Sequence, residues 1–301
     1  MLYICERIPR IHGNTTSQAD WIVGVRCLLI ALLFNVIASH AEPSDSTISC
    51  TRLAIVGGVT AGGFVVGHAM LNDLWWKGTP TDFHINTDND YRYALNADKL
   101  GHATFAYIAT TTYADLFRWT GMDSASAVWS AAGVATAYQT YIEVRDGFSK
   151  NYGFSWGDIT ANMIGISLPV LKHYYPSLRA VDLQISFWPS RDFRNGYYNA
   201  IIDDYTSTTH WLSVNIHDLA PTSTCKDVPP WLGLAVGHSV QNLDGNGGGQ
   251  HRLFIALDWN LSRIQGLPRW LRDIMRTLHL YHLPAPAVQI SPNVVWYGIR
   301  F

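Results

Sequence analysis

Between Asp98 and Gly165 the chain sets charged and amide side chains inside segments that are otherwise apolar. The stretch reads ADKLGHATFAYIATTTYADLFRWTG, then SASAVWSAAGVATAYQTYIEVRDGFSK, then GFSWGDITANMIG. Burying an unpaired ionised group costs on the order of several kcal/mol, so the fold must bring these groups together or open them to water. The apolar residues recur with a helical period of about 3.6, which predicts three helices and leaves one question: which faces the polar residues share.

Asp98 and His102 stand one helical turn apart, hence on one face, with Lys99 on the same turn. A carboxylate beside a histidine fixes the ring's tautomer and basicity, which suits a metal site or a proton transfer. It also suits a plain helix N-terminus, where Asp98 meets the dipole. Glu143 and Asp146 flank Arg145, and Asp146-Gly147 also reads as a turn. Asp158 and Asn162 form a third pair. Capping accounts for Asp158 but not for an amide among Ile, Met and Ala. Asp98, Lys99, His102, Glu143, Asp146, Asp158 and Asn162 are therefore the candidate polar centre of three neighbouring helices. Such carboxylate and imidazole groups could hold a divalent metal. They could equally close into a salt-bridge network around Lys99 with no ligand. The residues single out no particular metal or cofactor. No phosphate-binding glycine loop, serine-hydrolase elbow or zinc-protease helix stands where it would help. His68 and His173, on apolar helices, read as packed core residues.

Charged residues make up only 15% of the chain against 48% apolar, with 12 Trp and 15 Tyr. A net charge of -2 and the lack of any Lys/Arg run give no basis for a nucleic-acid partner. Arg26 precedes the apolar CLLIALLFNVIASHA, and Ser39-His40-Ala41 carries small residues where a signal peptidase needs them. Residues 1–41 are thus expected to be a signal segment, the rival being an uncleaved anchor. The location that follows is the cell envelope: periplasmic and membrane-associated, with the outer membrane as an alternative. After cleavage Cys50 and Cys225 remain, a pair that export allows to bond but that spacing alone does not join.

The chain's pattern predicts an α+β fold: an apolar four-helix bundle over residues 53–175, then an antiparallel β-rich region over 176–301 containing one helix. The first helix is expected from Leu53 to Trp76, its recurrent glycines allowing close helix contact. Asn96 or Asp98 should cap the second, Ser155 the fourth, and Pro169 should kink the fourth. After Pro176 the period falls to two, in VDLQISFW, HWLSVNIHD, WLGLAVGHSV, RLFIALDWNL and VVWYGIRF, with a helix expected over 266–284. Five or six strands fall short of the eight a closed membrane barrel needs, so a sheet packed on the helices is expected.

LNDLWW, FHINTDND, ADKLGHATFAY, YIEVRDGFSKNYGFSWGDITANMIG, DDYTSTTHWLS, WLGLAVGHSV, ALDWNLSRI and LPAPAVQI, spread over residues 55–301, resemble the YfiM-type predicted envelope lipoproteins of domain of unknown function 2279. A fainter likeness to VanZ-like membrane proteins falls on Asp98, Lys99, His102, Glu143, Asp158, Asn162 and Gly165. It implies a helical bundle whose polar centre lies at or in a membrane. The expected function is an envelope protein that binds an amphiphile or supports envelope assembly, with a membrane or envelope lipid as partner. The alternative is a metal-assisted or acid–base hydrolase acting on a lipid or cell-wall component.

Overall fold

The computed structural model describes residues 47–301 apart from 79, 88, 199, 220–227 and 246. The expected signal segment and Cys225 lie outside the described residues. Helix α1 (Cys50–Leu71) runs into a wider turn at Asn72–Trp76. Helices α2 (Ala97–Trp119), α3 (Ser124–Gly147) and α4 (Trp156–Tyr174) follow. Side-chain caps set two of these starts: Asp123 accepts from the amides of Ala125 and Ser126, and Ser155 from that of Asp158. The start of α2 is made differently from the expectation. Ala94, Leu95 and Asn96 all take left-handed backbone angles (φ 45, 52 and 63°), and Asn96 makes no side-chain cap. Helix α4 runs on through Pro169 to Tyr174.

Helices α2–α4 pack on one another through small residues. Ala106, Ala114, Ala127, Ala131 and Ala135 are buried with Phe117, Ile166 and Val170. The bundle is therefore three helices with a fourth at its margin, because α1 buries only Val56 and Leu71. Gly57, Gly58, Gly62 and Gly63 face open space rather than another helix, and only Gly67 abuts a neighbour, Tyr138. Residues 50–76 form the one helix among the described residues long and apolar enough to cross a membrane.

Six strands then form an antiparallel sheet in simple chain order. They are β1 (Val181–Phe187), β2 (Thr208–Asn215), β3 (Leu232–Gln241), β4 (Gln250–Trp259), β5 (Ala285–Ser291) and β6 (Val295–Arg300). Helix α5 (Arg269–Leu278) is shorter than expected. The chain after it bonds to the free edge of β1, with Ile185 N–H donating to Leu280 and His282 N–H donating to Ile185. The sheet curls: Trp188, just past β1, stacks on Phe301 at 4.6 Å, and Arg300 donates to Thr209 of β2 at 3.1 Å.

One face of this sheet is interior and mixed in polarity. Trp211 stacks on His282 at 4.0 Å and donates to Ser186. Ser213 donates to Asp258 at 2.5 Å, and Arg252 to Gln289 and Tyr297 at 2.9 Å each. Asp182 joins sheet to helices, accepting from Tyr107 of α2 at 2.5 Å and from Lys172 of α4 at 2.6 Å.

Candidate functional site

The polar residues of α2, α3 and α4 meet at one end of the bundle. Two glycines permit the approach. A methyl group at Gly165 would overlap the carbonyl of Ala103, and one at Gly157 would come within 2.7 Å of both Asp90 and Lys99. Helices α2 and α4 thus touch backbone to backbone beside the charged groups.

Lys99 is the hub. Its Nζ lies 2.7 Å from Asp158, 2.8 Å from Asp90 and 3.3 Å from Asp98. Burial alone would lower its pKa, but Asp98 and Asp158 outweigh that and raise it. His102 stands beside the hub. Its Nδ1 lies 3.3 Å from Asn162 Oδ1 and 3.6 Å from Glu143 Oε1, and its Nε2 lies 3.8 Å from both Asp98 and Asp158. The His102 side chain keeps 20% of its surface exposed, against 1% for Glu143, so the centre reaches solvent through the histidine.

The carboxylates are driven apart in acidity. Asp98 is enclosed, yet His102, Lys99 and the hydroxyl of Tyr205 at 2.7 Å hold its pKa below the usual value. Glu143 is pushed up to about 9 by burial and by Asp158 and Asp146, so it is a neutral acid at pH 7. Burial and Asp98 also raise Asp158. Glu143 Oε2 accepts from the Ser155 amide at 3.3 Å. Glu143 Oε1 and Asn162 Nδ2 are buried with no hydrogen-bond partner among the described residues. Donor atoms of Asp98, His102 and Asp158 lie within 4.8 Å of one another, a spacing that a single cation could bridge.

Six of the seven predicted residues therefore converge: Asp98, Lys99, His102, Glu143, Asp158 and Asn162. Asp146 instead accepts from the indole of Trp76 at 2.6 Å, close enough to add to the charge felt by Glu143, with burial raising its own pKa to about 6. Two further members lay outside the sequence reading. Asp90, from the turn before α2, accepts from Ser155 Oγ at 2.5 Å and the Gly157 amide at 3.0 Å. Tyr205 comes from the loop before β2 and packs edge-on to Tyr93 at 5.7 Å. Asp90 lay within turn chemistry, which explains an Asp without any ligand. Nothing local connects Tyr205 to Asp98.

The location expected from the sequence is the cell envelope, reached by export. Residues 88–174 match the family described as predicted periplasmic lipoprotein (DUF2279), whose description agrees with that location. The matched segment holds every helix-borne member of the centre and Asp90. No curated protein and no solved structure matches the chain.

Proposed function

We propose that this envelope protein holds the cationic polar head of an amphiphile, such as a lipid amine, at the centre formed by α2–α4. The observation that carries the reading is the buried acceptor Glu143 Oε1, without a hydrogen bond beside the partly exposed His102; Asn162 Nδ2, also without one, is a donor and would meet an oxygen of the same head. Charge supports a cation. Three carboxylates (Asp90, Asp98 and Asp158) converge on the one ammonium of Lys99. The aromatic pair Tyr93 and Tyr205, next to Asp98, adds ring faces of the kind that attract an ammonium.

A second reading rests on the 4.8 Å grouping of Asp98, His102 and Asp158. A divalent metal there, with Glu143 as a nearby neutral acid, would supply the parts of a hydrolase acting on a lipid or cell-wall component. Elemental analysis and mass spectrometry of extracted lipid, both on purified full chain, separate the two. An aminolipid that co-purifies and is lost in Asp158→Asn supports the first reading. Stoichiometric metal lost in His102→Ala supports the second. Neither lipid nor metal would leave a closed Lys99 network, and both readings would fall.

A further inference from the structure

The sheet's inner face sets buried polar groups beside an apolar cluster of Trp211, Ala235, Phe254, Ala256 and Ala287. Antiparallel sheets that pack on a core usually turn their apolar residues inward and their polar ones to water. Here Gln184, Ser186, Ser213, Asp258 and Gln289 are among the most buried residues of the sheet. The opposite face carries the aliphatic side chains. The strand registers align Leu183, Leu212, Val236, Ile255, Val288 and Trp296 as one row across all six strands. Val236 is 54% exposed and Trp296 80%. Because side chains alternate, the other outward positions follow from the same registers, and none of them is Asp, Glu, Lys or Arg.

Leu100 and Ala103 of α2 stand over a groove of about 200 Å³ that Leu183, Leu212, Val236 and Leu253 also line, and Val240 is buried against Ala94 and Ala97. Beyond that groove Ile255 is 45% exposed and Trp296 80%, with Val288 half-buried between them. Five strand spacings make the row roughly 24 Å wide. Isolated exposed apolar side chains are ordinary on a protein surface, but a contiguous row without a single charge is not.

We infer that this outward face of the sheet lies against the acyl chains of a lipid bilayer. Polar-in, apolar-out alternation is the pattern a sheet takes when its surroundings are hydrocarbon. The curl of the sheet points the same way. With β1 and β6 drawn together by Trp188–Phe301 and Arg300–Thr209, the row wraps a convex surface, which a fluid phase covers without a matching groove. Strand length sets the depth. Strands β1, β2, β5 and β6, with 7, 8, 7 and 6 residues, fall short of the roughly 9–11 that a spanning strand needs, while β3 and β4, with 10, reach it. The face therefore meets one leaflet rather than spanning two. This inference stands apart from the reading of the polar centre, since none of its residues belongs to that centre.

The test places photoreactive benzoylphenylalanine at Val236, at Ile255 and, as a control, at the exposed loop residue Lys150. The full-length chain is irradiated in vesicles of phosphatidylethanolamine and phosphatidylglycerol, and the products are read by mass spectrometry. Lipid adducts at positions 236 and 255, at least tenfold above those at 150, are expected. Adducts to a second copy, to another part of the chain, or to nothing would overturn the inference. A second measurement does not depend on the probe being tolerated. Brominated acyl chains should quench the unmodified chain's tryptophan fluorescence more than that of Trp296→Phe, and equal quenching of the two would also overturn it.

Discussion

Helices α2–α4 keep Ala106, Ala127 and Ala131 inside and gather their charges at one end, whereas the sheet keeps Gln184, Ser213 and Asp258 inside and turns Leu212, Val236 and Ile255 outward. Both halves bury polar groups, but for different ends. In the helices the buried charges converge on one lysine and stop short of full pairing at Glu143 and Asn162. In the sheet, Arg252–Gln289 ties β4 to β5 and Ser213–Asp258 reaches from β2 past β3 to β4, while Gln184 Oε1 and Asp258 Oδ1 are buried without a hydrogen bond. Polarity in the core thus gathers round one lysine in the first half and is spread along the strands in the second.

The sharpest way to break this comparison is a pair of substitutions at adjacent residues of β2. Trp211→Ala removes a ring that is 1% exposed and should cost about 3–5 kcal/mol in a urea melt. Leu212→Ser, pointing outward, should stay within about 0.5 kcal/mol of the parent. A reversal of that order would mean the faces have been taken the wrong way round. Next in size is Lys99→Met, which leaves Asp90, Asp98 and Asp158 facing one another and should cost about 3 kcal/mol at pH 7.

Glu143 gives a pH signature. Its folded-state pKa of about 9 lies above the ordinary 4.5, so the stability it contributes is whole below 4.5 and is lost as pH rises through 9. Within that window the fall approaches about 1.4 kcal/mol per pH unit. Glu143→Gln, which carries no titrating proton, should flatten the stability profile between those limits and equal or exceed the parent at pH 8. A slope unchanged by the substitution would show Glu143 to be ionised. The smallest effect sharpens the status of α1. Gly58→Ala and Gly62→Ala meet nothing within 4 Å, so each should stabilise the chain by about 0.5–1 kcal/mol through helix propensity alone. A loss instead would mean that another surface packs on α1.

The helical centre was largely legible in the sequence because helix geometry converts spacing into direction. Asp98 and His102, or Asp158 and Asn162, can share a face only if the segments are helical, and apolar neighbours mark that face as enclosed. Asp146 broke the pattern because, still within α3 three residues past Glu143, it hydrogen-bonds the indole of Trp76 instead. The expectation of close packing by α1 failed because glycine spacing permits contact without supplying a partner. Which face of the sheet turns outward was not legible for a different reason. A period of two separates two sets of side chains but is symmetric between them, so Leu212 and Ser213 each fit either face until the curl of the sheet is known. Strand β5 was hidden by Pro284 and Pro286, which close a helix as readily as they open a strand.

Gly165 gives the helical site a rigidity that its charged members do not. With the Ala103 carbonyl where a side chain would begin, the gap between α2 and α4 has no slack in which even one extra carbon could be housed. Change at this centre is then confined to exchanging the tips of the converging side chains. A lineage reshaping this centre could swap an Asp for an Asn many times over, while position 165 stays a hydrogen atom.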